Sequence, residues 1–176
     1  LHAGFGLLDG DSIYFHNVAV DLAGRIRDRG WGEWSVYPAA GATANVSFLA
    51  ALYAVFGEDP SLVVPINASM HALGGVLLFL IGKRLMPGWV GSLGGLVAGT
   101  SFVVFPSALN WYGQLHKDGY AIAGVLMLVW SWLRLQGGRP AVRDFGITVG
   151  ATSCAILLIA LVRPYNLVPL LAVMLL

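Results

Sequence analysis

The sequence predicts an all-α protein, a polytopic bundle of transmembrane helices with extracytoplasmic interfacial helices. Its composition is the first observation: 57% of the 176 residues are hydrophobic and only 11% are charged, whereas roughly a quarter of an average soluble protein is charged. The second is a series of long apolar runs separated by short basic or polar segments. The third is that seven of the nine acidic residues lie in residues 1–61. Polar chemistry is therefore concentrated at one edge of a membrane protein.

Residues 1–61 are predicted to form an extracytoplasmic loop with interfacial helices. Asp11 stands before a run with helical spacing that ends at Gly30. The apolar face of this run contains Phe15, Val18, Ala19, Leu22 and Ile26. A second run, residues 45–57, has helical spacing through Phe48, Leu49, Leu52, Tyr53 and Phe56, but at about 1.5 Å per residue it reaches only roughly 20 Å. We expect it to lie in the interface, with a short spanning helix as the alternative.

Residues 62–176 are predicted to form transmembrane helices. The expected spans are about 62–82, 89–106, 119–135 and 145–162, followed by an incomplete span over 164–176. Gly91, Gly95 and Gly99 form a stripe of small residues, which favours close helix packing rather than phosphate binding. The chain begins without Met and ends within an apolar run, so we expect it to be a fragment of a longer protein.

The distribution of basic residues predicts the topology. Two loops, 83–88 and 134–144, carry Lys83, Arg84, Arg134, Arg139 and Arg143 against a single acid, Asp144. The positive-inside rule places both loops in the cytoplasm. Residues 1–61, the 107–118 loop and Arg163 then lie on the extracytoplasmic side. The basic residues are scattered and the net charge is only +1, so the expected partner is membrane lipid and not nucleic acid.

Asp11 is a candidate catalytic base. A carboxylate at the mouth of an apolar bundle can have its pKa raised and accept a hydroxyl proton. Asp9 is a second candidate. The alternative role for Asp11 is to cap a helix that starts at Ser12. His116, Lys117 and Asp118 stand at the entrance to a predicted span, where they would either bind substrate or anchor the helix at the interface.

Arg163 interrupts an apolar run that otherwise extends from Phe145 to the last residue. Burying a charged side chain within the membrane is costly, so such a residue usually binds a group of opposite charge. An anionic phosphate suits a guanidinium group. The alternative is an interfacial Arg at the end of one helix, before Pro164 opens the next. His16 with Asp11, and His116 with Asp118, could supply ligands to a divalent metal, although the spacing favours ordinary polar interfacial residues.

These segments resemble the N-terminal half of the GT-C membrane glycosyltransferases, in the branch that uses polyprenyl- or dolichyl-phosphate sugars and includes protein mannosyltransferases and aminoarabinose transferases. The resemblance is carried by DSIYFHNVAVDLA, by FLAALYAVFG, by a span that ends GKRL and by a polar loop that closes in an acid. It departs from the family at Ser12, where a second acid is usual, and before Asn45, where the family is rich in Pro.

The resemblance implies that Asp11 is the catalytic acid of the first extracytoplasmic loop and deprotonates the acceptor. It implies that Asp118 is the acid of the second loop, and that Lys117 and Arg163 hold the phosphate of a polyprenyl-phosphate-linked sugar donor. Such an enzyme would be an integral protein of the bacterial inner (plasma) membrane, active only with the further spans of the family. Two rival hypotheses are a small structural subunit of a larger membrane complex and a fragment of a polysaccharide polymerase or transporter.

Overall fold

The computed structural model describes residues 10–39, 41–105, 117–136 and 141–174. Regular structure in these ranges is helical, and no strand occurs within them, which confirms the predicted all-α class. Three short 3₁₀ helices cover Trp31–Glu33, Pro60–Val63 and Pro164–Asn166. The α-helices, numbered in chain order, are α1 Gly10–Arg29, α2 Ala44–Phe56, α3 Val64–Leu85, α4 Gly88–Val104, α5 Asp118–Leu133, α6 Val142–Val162 and α7 Leu167–Met174.

Glycines end the first two helices as the sequence predicts. Gly30 follows α1 with φ of 93°, and Gly57 follows α2 with φ of 100°. This left-handed region is accessible to glycine at little cost. In each case the glycine N–H donates to a carbonyl of the last helical turn, that of Ile26 at 2.8 Å and that of Tyr53 at 3.1 Å. The predicted bounds of both helices are thus confirmed to within a few residues.

Among the described residues, two segments are long and apolar enough to cross a membrane: Pro60–Leu85, with 26 residues, and Val142–Val162, with 21 residues. They correspond to the predicted spans 62–82 and 145–162. The predicted spans 89–106 and 119–135 correspond to α4 and α5, with 17 and 16 residues. At about 1.5 Å per residue these reach only roughly 25 Å, less than the hydrocarbon thickness of about 30 Å. Residues 164–174 begin with a 3₁₀ turn and continue as α7. The polytopic arrangement stays a prediction.

The described chain divides into two compact units. Unit 1 contains the described part of residues 10–68 together with Lys117, and unit 2 contains residues 69–105 and the described part of 118–174. Unit 1 is built on α1 and α2, whose contact buries one apolar cluster. Its members are Phe15, Ala19, Leu22, Ala23, Ile26, Ala42, Val46, Leu49, Ala50, Tyr53 and Val63. The face predicted for α1 is largely correct, because four of its five residues are buried and the fifth, Val18, packs against the cluster.

The helical spacing predicted over residues 45–57 corresponds to α2, and only part of its apolar set packs against α1. Leu49 and Tyr53 are buried against α1, but Phe48 is 45% exposed and Phe56 is 69% exposed. The buried stripe also includes Val46 and Ala50, which the apolar spacing did not single out. Nearly every position of α2 is apolar, so periodicity alone cannot tell which stripe meets α1.

Unit 2 is held together by close helix contacts at glycines. A Cβ on Gly95 would lie 2.5 Å from the carbonyl oxygen of Phe79, and one on Gly99 would lie 2.5 Å from that of Gly75. The predicted stripe in α4 therefore does pack closely, against α3. The pair α5 and α6 meets at Gly124, whose Cβ would lie 2.8 Å from Cγ1 of Ile159.

Arg84 ties the two predicted basic loops together. Its Nε donates to the carbonyl of Leu133 at 3.1 Å, and its Nη2 donates to the carbonyls of Arg134 at 3.2 Å and Gln136 at 2.9 Å. These acceptors lie at or just beyond the C-terminal end of α5. The C-terminal ends of α3 and α5 thus lie at the same end of unit 2, as the charge pattern predicted. Which membrane leaflet this end faces stays a prediction.

Candidate functional site

Asp118 and Arg163, two residues singled out in the sequence, form an ion pair in unit 2. Asp118 is the first residue of α5, and Arg163 directly follows α6. The Arg163 Nε donates to Oδ1 of Asp118 at 3.0 Å, and Nη2 donates to the same oxygen. The Arg163 side chain is 32% exposed and the Asp118 side chain is 28% exposed. The antiparallel packing of α5 on α6 brings together residues that are 45 positions apart in sequence.

The Arg163 guanidinium has a third bond within the cluster. Its Nη1 donates to the hydroxyl of Tyr165 at 2.8 Å. The pKa of Arg163 is raised above its ordinary value chiefly because Asp118 accepts its hydrogen bonds. Arginine is charged at any physiological pH. The shift therefore does not change its protonation state and reflects the hydrogen bonds that Asp118 accepts from it. Three guanidinium N–H groups are engaged by protein, and those left on Nη1 and Nη2 can donate to a further anion.

A groove of about 410 Å³ opens beside this pair. Its polar end consists of Asp118, Arg163 and Asn166, and its wall consists of four apolar residues of α5: Ala121, Ile122, Val125 and Leu126. The groove therefore combines a cation at one end with an apolar wall about 8 Å long along the helix, estimated from the rise per residue. Such a shape suits an amphiphile with an anionic head.

Asp11 lies in unit 1, in the first turn of α1, and is exposed. The helix begins at Gly10, so the interpretation of Asp11 as the cap of a helix that starts at Ser12 is wrong. A carboxylate in the first turn still interacts favourably with the helix dipole. Asp9, the second candidate base, lies outside the described residues.

Lys117 also belongs to unit 1. Its ammonium lies 5.6 Å from the centre of the Phe15 ring, within the range of a cation–π contact. Phe15 is one helical turn beyond Asp11, so the predicted phosphate-binding lysine stands beside the start of α1. His116, the other member of that polar trio, lies outside the described residues.

A buried pair that the sequence did not single out joins α1 to α2. His16 is 8% exposed and Tyr53 is fully buried, and Nδ1 of His16 lies 2.9 Å from the Tyr53 hydroxyl. Burial lowers the pKa of His16, and burial with the nearby charges of Asp59 and Glu58 raises the pKa of Tyr53. Both groups are therefore neutral near pH 7. Only the spacing of α1, which puts His16 on the same side as Phe15 and Ala19, could have indicated this contact.

No described residues support the hypothesis of a divalent metal. Within the described ranges no three His, Cys, Asp or Glu side chains come together in a way that could hold an ion. His16, one of the proposed ligands, is hydrogen-bonded to Tyr53. His71 is buried, and its Nε2 lies 3.1 Å from the carbonyl oxygen of Val103.

In the part of the chain that the structure describes, the regular structure is all helical, two helices are long and apolar enough to cross a membrane, and a charged pair lies at the ends of two packed helices. Comparison with protein-family models, curated proteins and solved structures finds no match to this chain.

Proposed function

We propose that this chain is part of a membrane enzyme that transfers a sugar from a lipid-linked phosphate donor to an acceptor hydroxyl at the extracytoplasmic face. The observation that carries the proposal is the groove beside Asp118 and Arg163. The remaining N–H groups of Arg163 suit a phosphate oxygen, and the apolar side of α5 suits a hydrocarbon chain. The resemblance to GT-C glycosyltransferases supports the same donor class.

Asp118 has a positioning role in this proposal. Its carboxylate holds the Nε side of Arg163 and so leaves the outer edge of the guanidinium for phosphate. The carboxylate also limits how tightly an anion can bind, because it neutralises part of the charge. A modest affinity helps a transferase, since the lipid phosphate must leave after the sugar has been transferred.

Asp11 is proposed as the general base. It would take the acceptor proton as the hydroxyl oxygen attacks the anomeric carbon, while the bond from that carbon to the phosphate oxygen breaks. Arg163 would stabilise the negative charge left on the phosphate.

The test measures donor binding and sugar transfer in the membrane-embedded protein. Arg163→Lys keeps the charge but cannot hold Asp118 and a phosphate together, so donor affinity should fall about tenfold or more. The control is Arg25→Lys, on the exposed side of α1, where the ion pair with Asp21 tolerates the exchange. Unchanged donor binding in Arg163→Ala would remove the phosphate role.

A structural subunit is the second candidate, and the completed ion pair favours it, because a cation already paired with Asp118 requires no ligand. The charge-exchanged double variant Asp118→Arg, Arg163→Asp separates the two functions. If the pair is only structural, the double variant should recover the stability lost in each single variant, and any donor binding should be unaffected. A phosphate site would stay impaired in the double variant, because the cation is displaced to α5.

A further inference from the structure

A cluster of cations lies at the opposite end of unit 2 from Asp118. Lys83 and Arg84 are in the last turn of α3, Arg134 follows α5, and Arg143 is in the first turn of α6. The Arg84 bonds to carbonyls at the end of α5 hold the first two segments together. An ion pair from Arg134 to Asp144 adds the start of α6. Of the residues that the structure describes, four cations thus share this end with one carboxylate, an excess of three positive charges.

Two of these cations make no ion pair with any described carboxylate. Lys83 lies 5.5 Å from the centre of the Phe79 ring, and it makes no ion pair with any described carboxylate. Arg143 is exposed and makes neither a hydrogen bond nor an ion pair among the described residues. Its position is also unfavourable, because the first turn of a helix repels a cation. An external anion would pair with both cations and would offset the unfavourable interaction of Arg143 with the helix dipole.

Exposed apolar side chains surround the cations. Trp89 is 75% exposed at the start of α4, Trp132 is 42% exposed near the end of α5, and Phe145 is 59% exposed in the first turn of α6. Tryptophans beside lysines and arginines at helix ends are typical of the boundary between hydrocarbon and headgroups. The anions present at that depth of a membrane are lipid phosphates.

We infer that this basic end of unit 2, formed by Lys83, Arg84, Arg134 and Arg143, binds the headgroups of anionic phospholipids. Lys83 and Arg143 contact the phosphates, since Arg84 and Arg134 are held by protein oxygens. Trp89 and Trp132 fix the depth of this end in the leaflet. The binding is electrostatic and shallow, so it weakens as salt is added. Neither a sugar donor nor transferase activity is needed for it.

The experiment reconstitutes the chain in vesicles of phosphatidylcholine that contain either brominated phosphatidylglycerol or brominated phosphatidylcholine. Quenching of tryptophan fluorescence gives the relative affinity for the anionic lipid. The wild-type chain should prefer phosphatidylglycerol, and the double variant Lys83→Gln, Arg143→Gln should lose on the order of tenfold of that preference. A charge-conserving variant, Lys83→Arg, Arg143→Lys, should retain it.

The matched control removes two cations from α1, as Arg25→Gln, Arg29→Gln. These residues belong to unit 1 and not to the basic end of unit 2, so the lipid preference should survive. Equal affinity of the wild-type chain for the two lipids would overturn the inference. So would an equal loss in the control, which would mean that only net charge matters, or a full preference in Lys83→Gln, Arg143→Gln. If that double variant does not fold, Arg143→Gln alone provides the same comparison, because its side chain contacts no described partner.

Discussion

Replacing single glycines by alanine should have opposite effects in α4 and in α6. A Cβ on Gly95 would lie 2.5 Å from the carbonyl oxygen of Phe79 and 3.1 Å from its Cα. Both atoms belong to the backbone of α3, so they cannot rotate away, and the helices must separate by nearly 1 Å to reach an ordinary contact of 3.4 Å. Overpacking of this kind costs about 1–3 kcal/mol.

Gly146 is the matched control, since a Cβ there would meet no described atom within 4 Å. Alanine is favoured over glycine in a helix by about 1 kcal/mol, so Gly146→Ala should be neutral or stabilising. Gly94→Ala is intermediate, because its Cβ meets only the mobile end of Met86, at 3.1 Å. All three variants replace glycine by alanine within a helix, and they differ only in the atoms that the added Cβ contacts.

Thermal unfolding in lipid nanodiscs, followed by circular dichroism, measures the effect. A loss of 1–3 kcal/mol should lower Tm by about 2–4 °C per kcal/mol for a chain of this size. Gly95→Ala should therefore unfold several degrees below Gly146→Ala. Equal midpoints for these two variants would refute the close contact of α3 with α4 on which this reasoning depends.

Three further predictions concern the proposed activity, pH and topology. Asp11→Asn should slow sugar transfer by about 100-fold or more while changing stability by no more than about 1 kcal/mol, the size of a helix-dipole interaction; transfer at the wild-type rate would exclude Asp11 as the base. The lowered pKa of His16 means that the unfolded chain binds more protons below about pH 6.5, so stability should fall as pH decreases through that range; the slope should be smaller in His16→Gln, which stays neutral, and an unchanged slope would contradict the assignment. In a background without the native cysteine, Ser35→Cys should react with an impermeant thiol reagent in intact cells and Met86→Cys should not; the reverse labelling would invert the topology.

The sequence by itself determined the helical class and the places where α1 and α2 end. Helical periodicity and chain-breaking glycines are local properties, which act within a few residues. Apolar composition also identified the two longest segments correctly. It was less informative for α2, because an almost wholly apolar helix has no polar face to mark the side exposed to solvent or lipid. The spacing therefore did not distinguish the exposed Phe48 and Phe56 from the buried Leu49 and Tyr53.

The sequence also selected Asp118 and Arg163 separately, each as a charge beside an apolar run. Only the tertiary structure decided that they pair with each other, because that contact depends on the packing of α5 against α6 at Gly124. The same holds for Arg84. The sequence assigned it only to a basic loop, whereas in the tertiary structure it donates hydrogen bonds to carbonyls at the end of α5. His16 and Tyr53 meet for the same reason, through the small residues Ala19 and Ala50 that bring α1 and α2 together. Contacts of this kind join residues distant along the chain, and local periodicity carries no information about them.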